Sequence, residues 1–115
     1  MVTVYHNPRC SKSRAAVAFV VEQLGEANVT IVRYLQSPPT ADELRELLRR
    51  ANLRAHDAIR TGEAVYAELG LNQSCSEDEL IAAMVSHPIL IERPFVVSDK
   101  GVVLARPTEK IAEVL

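Results

Sequence analysis

Val2 and Val4 alternate with Thr3 and Tyr5, the period-2 signature of a half-buried strand, and the run stops at His6-Asn7-Pro8, where proline offers no ladder donor. From Ser11 the period changes. Val17, Val20, Val21 and Leu24 recur at i, i+3, i+4 and i+7, which predicts an amphipathic helix stopped at Gly25. Residues 29–34 are rich in β-branched side chains and read as a second strand; with a helix between them, the two strands should run parallel. Ser37-Pro38-Pro39 breaks the pattern, and Thr40-x-x-Glu43 forms a capping box before a stripe of Leu44, Leu47, Leu48 and Ala51. Shorter helical segments follow at residues 55–59 and 63–69. Ser76-x-x-Glu79 caps another helix carrying Leu80, Ile81, Met84 and Val85, and His87-Pro88 ends it. Residues 95–98 and 102–104 flank Asp99-Lys100-Gly101, which reads as a three-residue hairpin turn with glycine at positive φ. Residues 108–115 close the chain as a short helix with Ile111, Val114 and Leu115 on one face.

The order βαβ, helical middle, ββα predicts an α/β fold: a thioredoxin-like four-stranded mixed sheet with flanking helices and a helical insertion in the middle of the chain. At 115 residues, 48% of them hydrophobic, the chain is expected to form a single domain, residues 1–115, without disulfide or metal staples. The formal charge is −2, so no global positive field exists to hold nucleic acid or an anionic membrane. With only 4 glycines, neither glycine-rich nucleotide-binding motif can be written. The N-terminus lacks a basic leader with an apolar run, and no stretch is long enough to span a bilayer, so a cytoplasmic location is expected. In a reducing compartment Cys10 and Cys75 are then thiols rather than a structural bridge, and no ligand spacing suggests a metal.

Cys10 falls between the first strand and the first helix, where backbone N–H groups lack helical acceptors and the helix dipole favours negative charge. His6, Arg9, Lys12 and Arg14 all lie within four positions of it. Nearby cations lower a thiol pKa, and the same groups would bind an oxyanion beside the sulfur. The alternative is a small apolar cysteine that merely opens a helix.

The run His6-Asn7-Pro8-Arg9-Cys10-Ser11-Lys12-Ser13-Arg14 resembles the active-site signature of the glutaredoxin-linked arsenate reductases. Similar stretches recur at Ile59-Arg60-Thr61, around Tyr66 to Leu71, in His87 to Pro94 and at Arg106-Pro107, so the likeness covers nearly the whole chain. By that resemblance Cys10 is the nucleophile toward arsenic and His6 helps to hold its thiolate. Arg60, Arg93 and Arg106 bind arsenate and its products, and Asn7, Ser11, Arg14 and Pro94 support the loop. Guanidinium forks suit a tetrahedral oxyanion better than the point charge of lysine. Arg93 and Arg106 flank the hairpin, so antiparallel pairing should bring them to one end of the sheet. The fold also implies a cis bond at Pro94.

The resemblance implies glutathione as co-substrate, glutaredoxin as electron-donating partner, no tightly bound cofactor, no metal and a monomer. Because position 13 is serine, Cys10 has no C-x-x-C partner, which fits an external thiol donor. Two alternatives stand beside this reading: an Spx-like transcription regulator that binds RNA polymerase, and a glutaredoxin-like thiol reductase that does not act on arsenic. Ser11 reads equally well as a helix cap. His56 is expected on the surface and His87 at a helix terminus, and Cys75 has no role in the resemblance.

Overall fold

A computed structural model describes residues 1–115 and divides them into two compact units, Met1–Ser37 with Arg93–Leu115, and Pro38–Glu92. In the first, strand β1 (Val2–Tyr5) leads through helix α1 (Ser11–Leu24) to β2 (Val29–Val32), and β3 (Phe95–Ser98) turns into β4 (Gly101–Leu104). The sheet order is β2-β1-β3-β4. β1 pairs with β2 in parallel and with β3 antiparallel, and β3 and β4 are antiparallel, giving the mixed four-stranded sheet expected from the element order. Val2, Val4, Val20, Val96, Ile111 and Val114 form its buried core together with Ala16 and Ala105.

Helix α1 ends where anticipated, at Gly25, whose φ of 84° suits a residue without a Cβ and whose N–H caps the Val21 carbonyl. Its buried face differs from the expected stripe. Ser13, Ala16 and Val20 are buried, while Val17, Val21 and Leu24 are only half-buried. Small side chains let the helix lie close on the sheet, so the contact line follows them rather than the largest apolar groups. β2 is shorter than residues 29–34, because Gln36 and Ser37 both donate to the Arg33 carbonyl and turn the chain there. The hairpin is also tighter than read: Ser98 pairs with Gly101, leaving a two-residue loop, Asp99-Lys100. Thr108–Val114 is a 3-10 helix rather than an α-helix, with Ile111 and Val114 buried.

In the second unit, α2 (Ala41–Ala51) and α5 (Glu77–Ser86) pack together, and the short helices α3 (Ala55–Ala58) and α4 (Ala64–Glu68) connect them. Both long helices open with complete capping boxes, Thr40 with Glu43 and Ser76 with Glu79. Leu44, Leu47 and Leu48 of α2 and Leu80, Ile81 and Met84 of α5 are buried, as their spacing predicts. Ile59 bridges to Ile91 in antiparallel fashion. No helix is long and apolar enough to cross a membrane.

Candidate active site

Three chain segments of the first unit meet at the C-terminal end of β1. Residues 6–10 run directly from that strand into α1. Tyr5 pairs with Phe95, so Arg93, two positions before Phe95, lies beyond the end of β1. Phe95 in turn pairs with Leu104, and the Ala105 N–H donates to the Pro94 carbonyl at 2.9 Å, which brings Arg106 beside Arg93. Both Arg93-Pro94, as expected, and Arg106-Pro107 are cis peptides.

Cys10 is the N-cap residue of α1 and makes no side-chain capping bond. Its own N–H donates to the Asn7 carbonyl at 3.0 Å, and the residue is buried, 8% exposed. Arg93 Nε donates to Cys10 Sγ at 3.2 Å. Burial by itself raises the thiol pKa. The backbone N–H of Ser13, the hydrogen bond and charge of Arg93, and the backbone N–H of Lys12 together outweigh it, so the pKa lies below the ordinary thiol value. The cap position left unfilled by a hydroxyl is occupied by sulfur. This corrects the alternative reading of Ser11 as a cap: Ser11 is the first helical residue and is exposed.

Arg106 Nη1 donates to the Arg93 carbonyl at 3.4 Å, so both arginines expected at one sheet end are there together. Arg14 Nη1 donates to the Pro8 carbonyl at 2.9 Å, and Asn7 Oδ1 accepts from the Arg9 N–H at 3.0 Å. These bonds fix the loop before the helix. Pro94 is buried beneath it.

His6, counted from the sequence among the cations near Cys10 and expected to help to hold its thiolate, has its ring at Ser13. Its Nδ1 lies 2.6 Å from Ser13 Oγ, which also accepts the Asn7 N–H at 2.9 Å. The Ser13 hydroxyl oxygen thus joins the Asn7 backbone to the His6 ring. Burial first, then the charges of Arg33 and Arg14, lower the His6 pKa and favour the neutral imidazole. His6 thus reaches Cys10 through Ser13, whose backbone N–H serves the sulfur while its side chain holds the histidine.

The sequence reading assigns Ser13 no role and misses Arg33. Ser13 is fully buried, and a polar residue at i, i+3, i+7 with Ala16 and Val20 signals an internal hydrogen-bond partner. Arg33 follows β2, and because Tyr5 pairs with Val32 and the His6 N–H donates to the Val32 carbonyl at 2.7 Å, the parallel pairing delivers it beside His6. The element order held that signal: residues that follow two adjacent parallel strands share an end of the sheet.

Arg60 belongs to the second unit. Its guanidinium pairs with Glu63 at 3.3 Å and with Glu92 at 3.9 Å, and its N–H donates to the Leu90 carbonyl at 2.8 Å. It is an ion-paired, half-buried side chain rather than a solvated charge. His56, expected on the surface, is half-buried: Nε2 lies 3.0 Å from the Cys75 carbonyl oxygen, and Nδ1 is buried with no partner. His87 terminates α5 as anticipated. Cys10 and Cys75 are both free thiols, and no cluster of three or more His, Cys, Asp or Glu residues forms a metal site.

An acidified thiol at an uncapped helix start, faced by the Arg93 guanidinium with Arg106 beside it on a thioredoxin-like sheet, defines a nucleophilic thiol centre suited to an oxyanion or a disulfide. The ArsC family model matches residues 5–114, and the chain belongs to the ArsC family. It is 44% identical to an arsenate reductase of Rhizobium meliloti, over 99% of this chain and 81% of that protein. With an arsenate reductase of Neisseria meningitidis it shares 40% identity over 99% of this chain and 97% of the other. The solved structure of an arsenate reductase from Vibrio cholerae matches with a TM-score of 0.90 and 40% identity, covering 99% of this chain and 97% of that one.

Proposed function

We propose that this chain reduces arsenate to arsenite through a Cys10 thiol-arsenate adduct, with residues 1–115 working as one domain in the cytoplasm. Membership of the ArsC family and the names of the relatives support arsenate as substrate. The observation that carries the chemistry is the Arg93 Nε–H directed at Cys10 Sγ, 3.2 Å away. It favours the thiolate before reaction, and a guanidinium so close to the sulfur is positioned to take an oxygen of whatever anion the sulfur attacks.

In the proposed cycle the Cys10 thiolate displaces an oxygen ligand of As(V), which leaves as water after protonation. Arg93 and Arg106 hold the remaining oxygens, joined by Arg60 in the reading that the family resemblance suggests. A glutathione thiolate then attacks the Cys10 sulfur. The new S–S bond replaces the S–As bond, whose electron pair stays on arsenic, now As(III). Glutaredoxin reduces the mixed disulfide and returns the Cys10 thiolate. His6, neutral and tethered to Ser13, fixes the loop that presents the Ser13 and Lys12 N–H groups to the sulfur.

The test is arsenate-dependent NADPH oxidation with glutathione, glutathione reductase and glutaredoxin present. Activity in the parent and its loss in both Cys10→Ser and Arg93→Ala is the expected result. Absence of activity in the parent, with Cys10 still reacting rapidly toward glutathione mixed disulfides, would instead establish a thiol reductase that does not use arsenic.

A further inference from the structure

The two units carry opposite charge. The unit with the thiol has 8 Lys and Arg against 5 Asp and Glu, whereas Pro38–Glu92 has 5 against 10. The excess is concentrated: within residues 1–37 the basic side chains are Arg9, Lys12, Arg14 and Arg33, and the sole carboxylates are Glu22 and Glu26. Glu22 lies 11 residues beyond Ser11, about 16 Å along the helix axis, and Glu26 follows the helix. Arg9, Lys12, Arg14 and Arg33 are all exposed, and none forms an ion pair. Arg14 is tied to the Pro8 carbonyl. The other three point no charge at any carboxylate of the chain.

Arg93 already donates to the sulfur, and Arg106 donates to the Arg93 carbonyl. The exposed three stand outside that inner pair, on the loop, the first turn of α1 and the end of β2. These three cations have no carboxylate partner within the chain and sit on segments at the same end of the sheet as Cys10. Three side chains fall well short of the roughly 20–30 residues that a stable protein interface engages on each side, which favours a small reactant over a protein. We infer that the side chains of Arg9, Lys12 and Arg33 form a docking ledge for the carboxylates of the small anionic thiol, glutathione, that resolves Cys10; this rests on the reductase reading above. The carboxylates of glutathione outnumber its ammonium group, so a ledge of unpaired cations attracts it and orients its thiol toward the sulfur. The ledge supplies encounter and orientation, and the bond-making step is the one already written.

The experiment reads disulfide exchange, which needs no arsenic. In a Cys75→Ser background, the Cys10 thiolate attacks one sulfur of an added disulfide; a Cys10 mixed disulfide forms, the probe's S–S bond breaks, and the second half leaves as a thiolate. Glutathione disulfide is the anionic probe and cystamine the cationic one. The ratio of their rates cancels any change in the thiol itself. Arg9→Gln and Arg33→Gln should each lower the glutathione-to-cystamine ratio about threefold at low ionic strength, the double variant about tenfold, and salt should shrink the difference. An unchanged ratio in the double variant overturns the ledge. So does an unchanged ratio accompanied by slower exchange with oxidised glutaredoxin, which would make the cations a protein-docking surface. Failure of the reductase reading is distinguished by its own signature: a changed ratio here with no arsenate-dependent turnover.

Discussion

Helices α2 and α5 each begin on a hydroxyl that accepts the N3 backbone N–H, with a glutamate reaching back to the cap residue. Helix α1 begins on Cys10, with no side-chain cap and no acidic residue in its first turn. The same physical need, to satisfy orphan N–H groups, is met internally at two helix starts and left to sulfur at the third. The surroundings follow suit. The first turns of α2 and α5 carry Asp42 and Glu43, and Glu77, Asp78 and Glu79, which complement the helix dipole; α1 carries Lys12 and Arg14 there and no carboxylate, leaving its dipole to be answered by the thiolate. A helix start built for stability is thus acidic and capped, and one built for chemistry is basic and open.

Replacing the sulfur breaks the contrast most severely: Cys10→Ser should abolish arsenate-dependent turnover, a loss of at least about a thousandfold, while Thr40→Ala leaves turnover at the parental level. Next in size is Arg93→Ala. Removing a charge-assisted hydrogen bond of about 1.5–3 kcal/mol should cost roughly 10- to 100-fold in turnover, and the thiol pKa should rise, read from the pH dependence of alkylation. Ser13→Ala strands the Asn7 N–H and removes the hydrogen-bond partner of His6 Nδ1 in a buried site; urea unfolding should show a loss of about 1–3 kcal/mol. Thr40→Ala and Ser76→Ala sharpen the other side of the comparison, with about 1 kcal/mol lost for each.

The pH dependence separates the two kinds of helix start as well. The folded Cys10 pKa is depressed, so its contribution to stability is fully present above the unfolded thiol pKa and is lost as pH falls through the folded value. For His6 the folded pKa is also depressed, which means that protonation favours the unfolded chain as pH drops below the ordinary histidine value. Both groups bind fewer protons folded than unfolded, so stability rises with pH. Urea titrations of Cys10→Ser beside the parent should show a shallower rise across the thiol window.

Much of this was legible in the sequence because local rules and tertiary needs agree. The strand alternation at Val2 and Val4, both capping boxes and the order of elements fixed the sheet, and hairpin geometry put Arg93 and Arg106 at one end. The cysteine's chemistry could be argued from its place before a helix. What escaped depends on three-dimensional closeness. Ser13 looked like any helix-start serine until the sheet buried it, and Arg33 is 23 positions from Cys10 in the chain, brought near His6 only by parallel pairing. His6 was counted among the cations near Cys10 because a count of neighbouring residues does not reveal the burial that lowers its pKa. Arg60 was read from resemblance alone, and its pairing with Glu63 and Glu92 has no signature beyond an i, i+3 spacing.

The most direct test is the rate of Cys10 alkylation against pH in the Cys75→Ser background, with and without arsenate, for the parent and Arg93→Ala. The account predicts a midpoint below the ordinary thiol value, an upward shift in the variant, and slowing by arsenate that weakens when Arg93 is gone. A midpoint at or above the ordinary value, unmoved by Arg93→Ala and indifferent to arsenate, would contradict it.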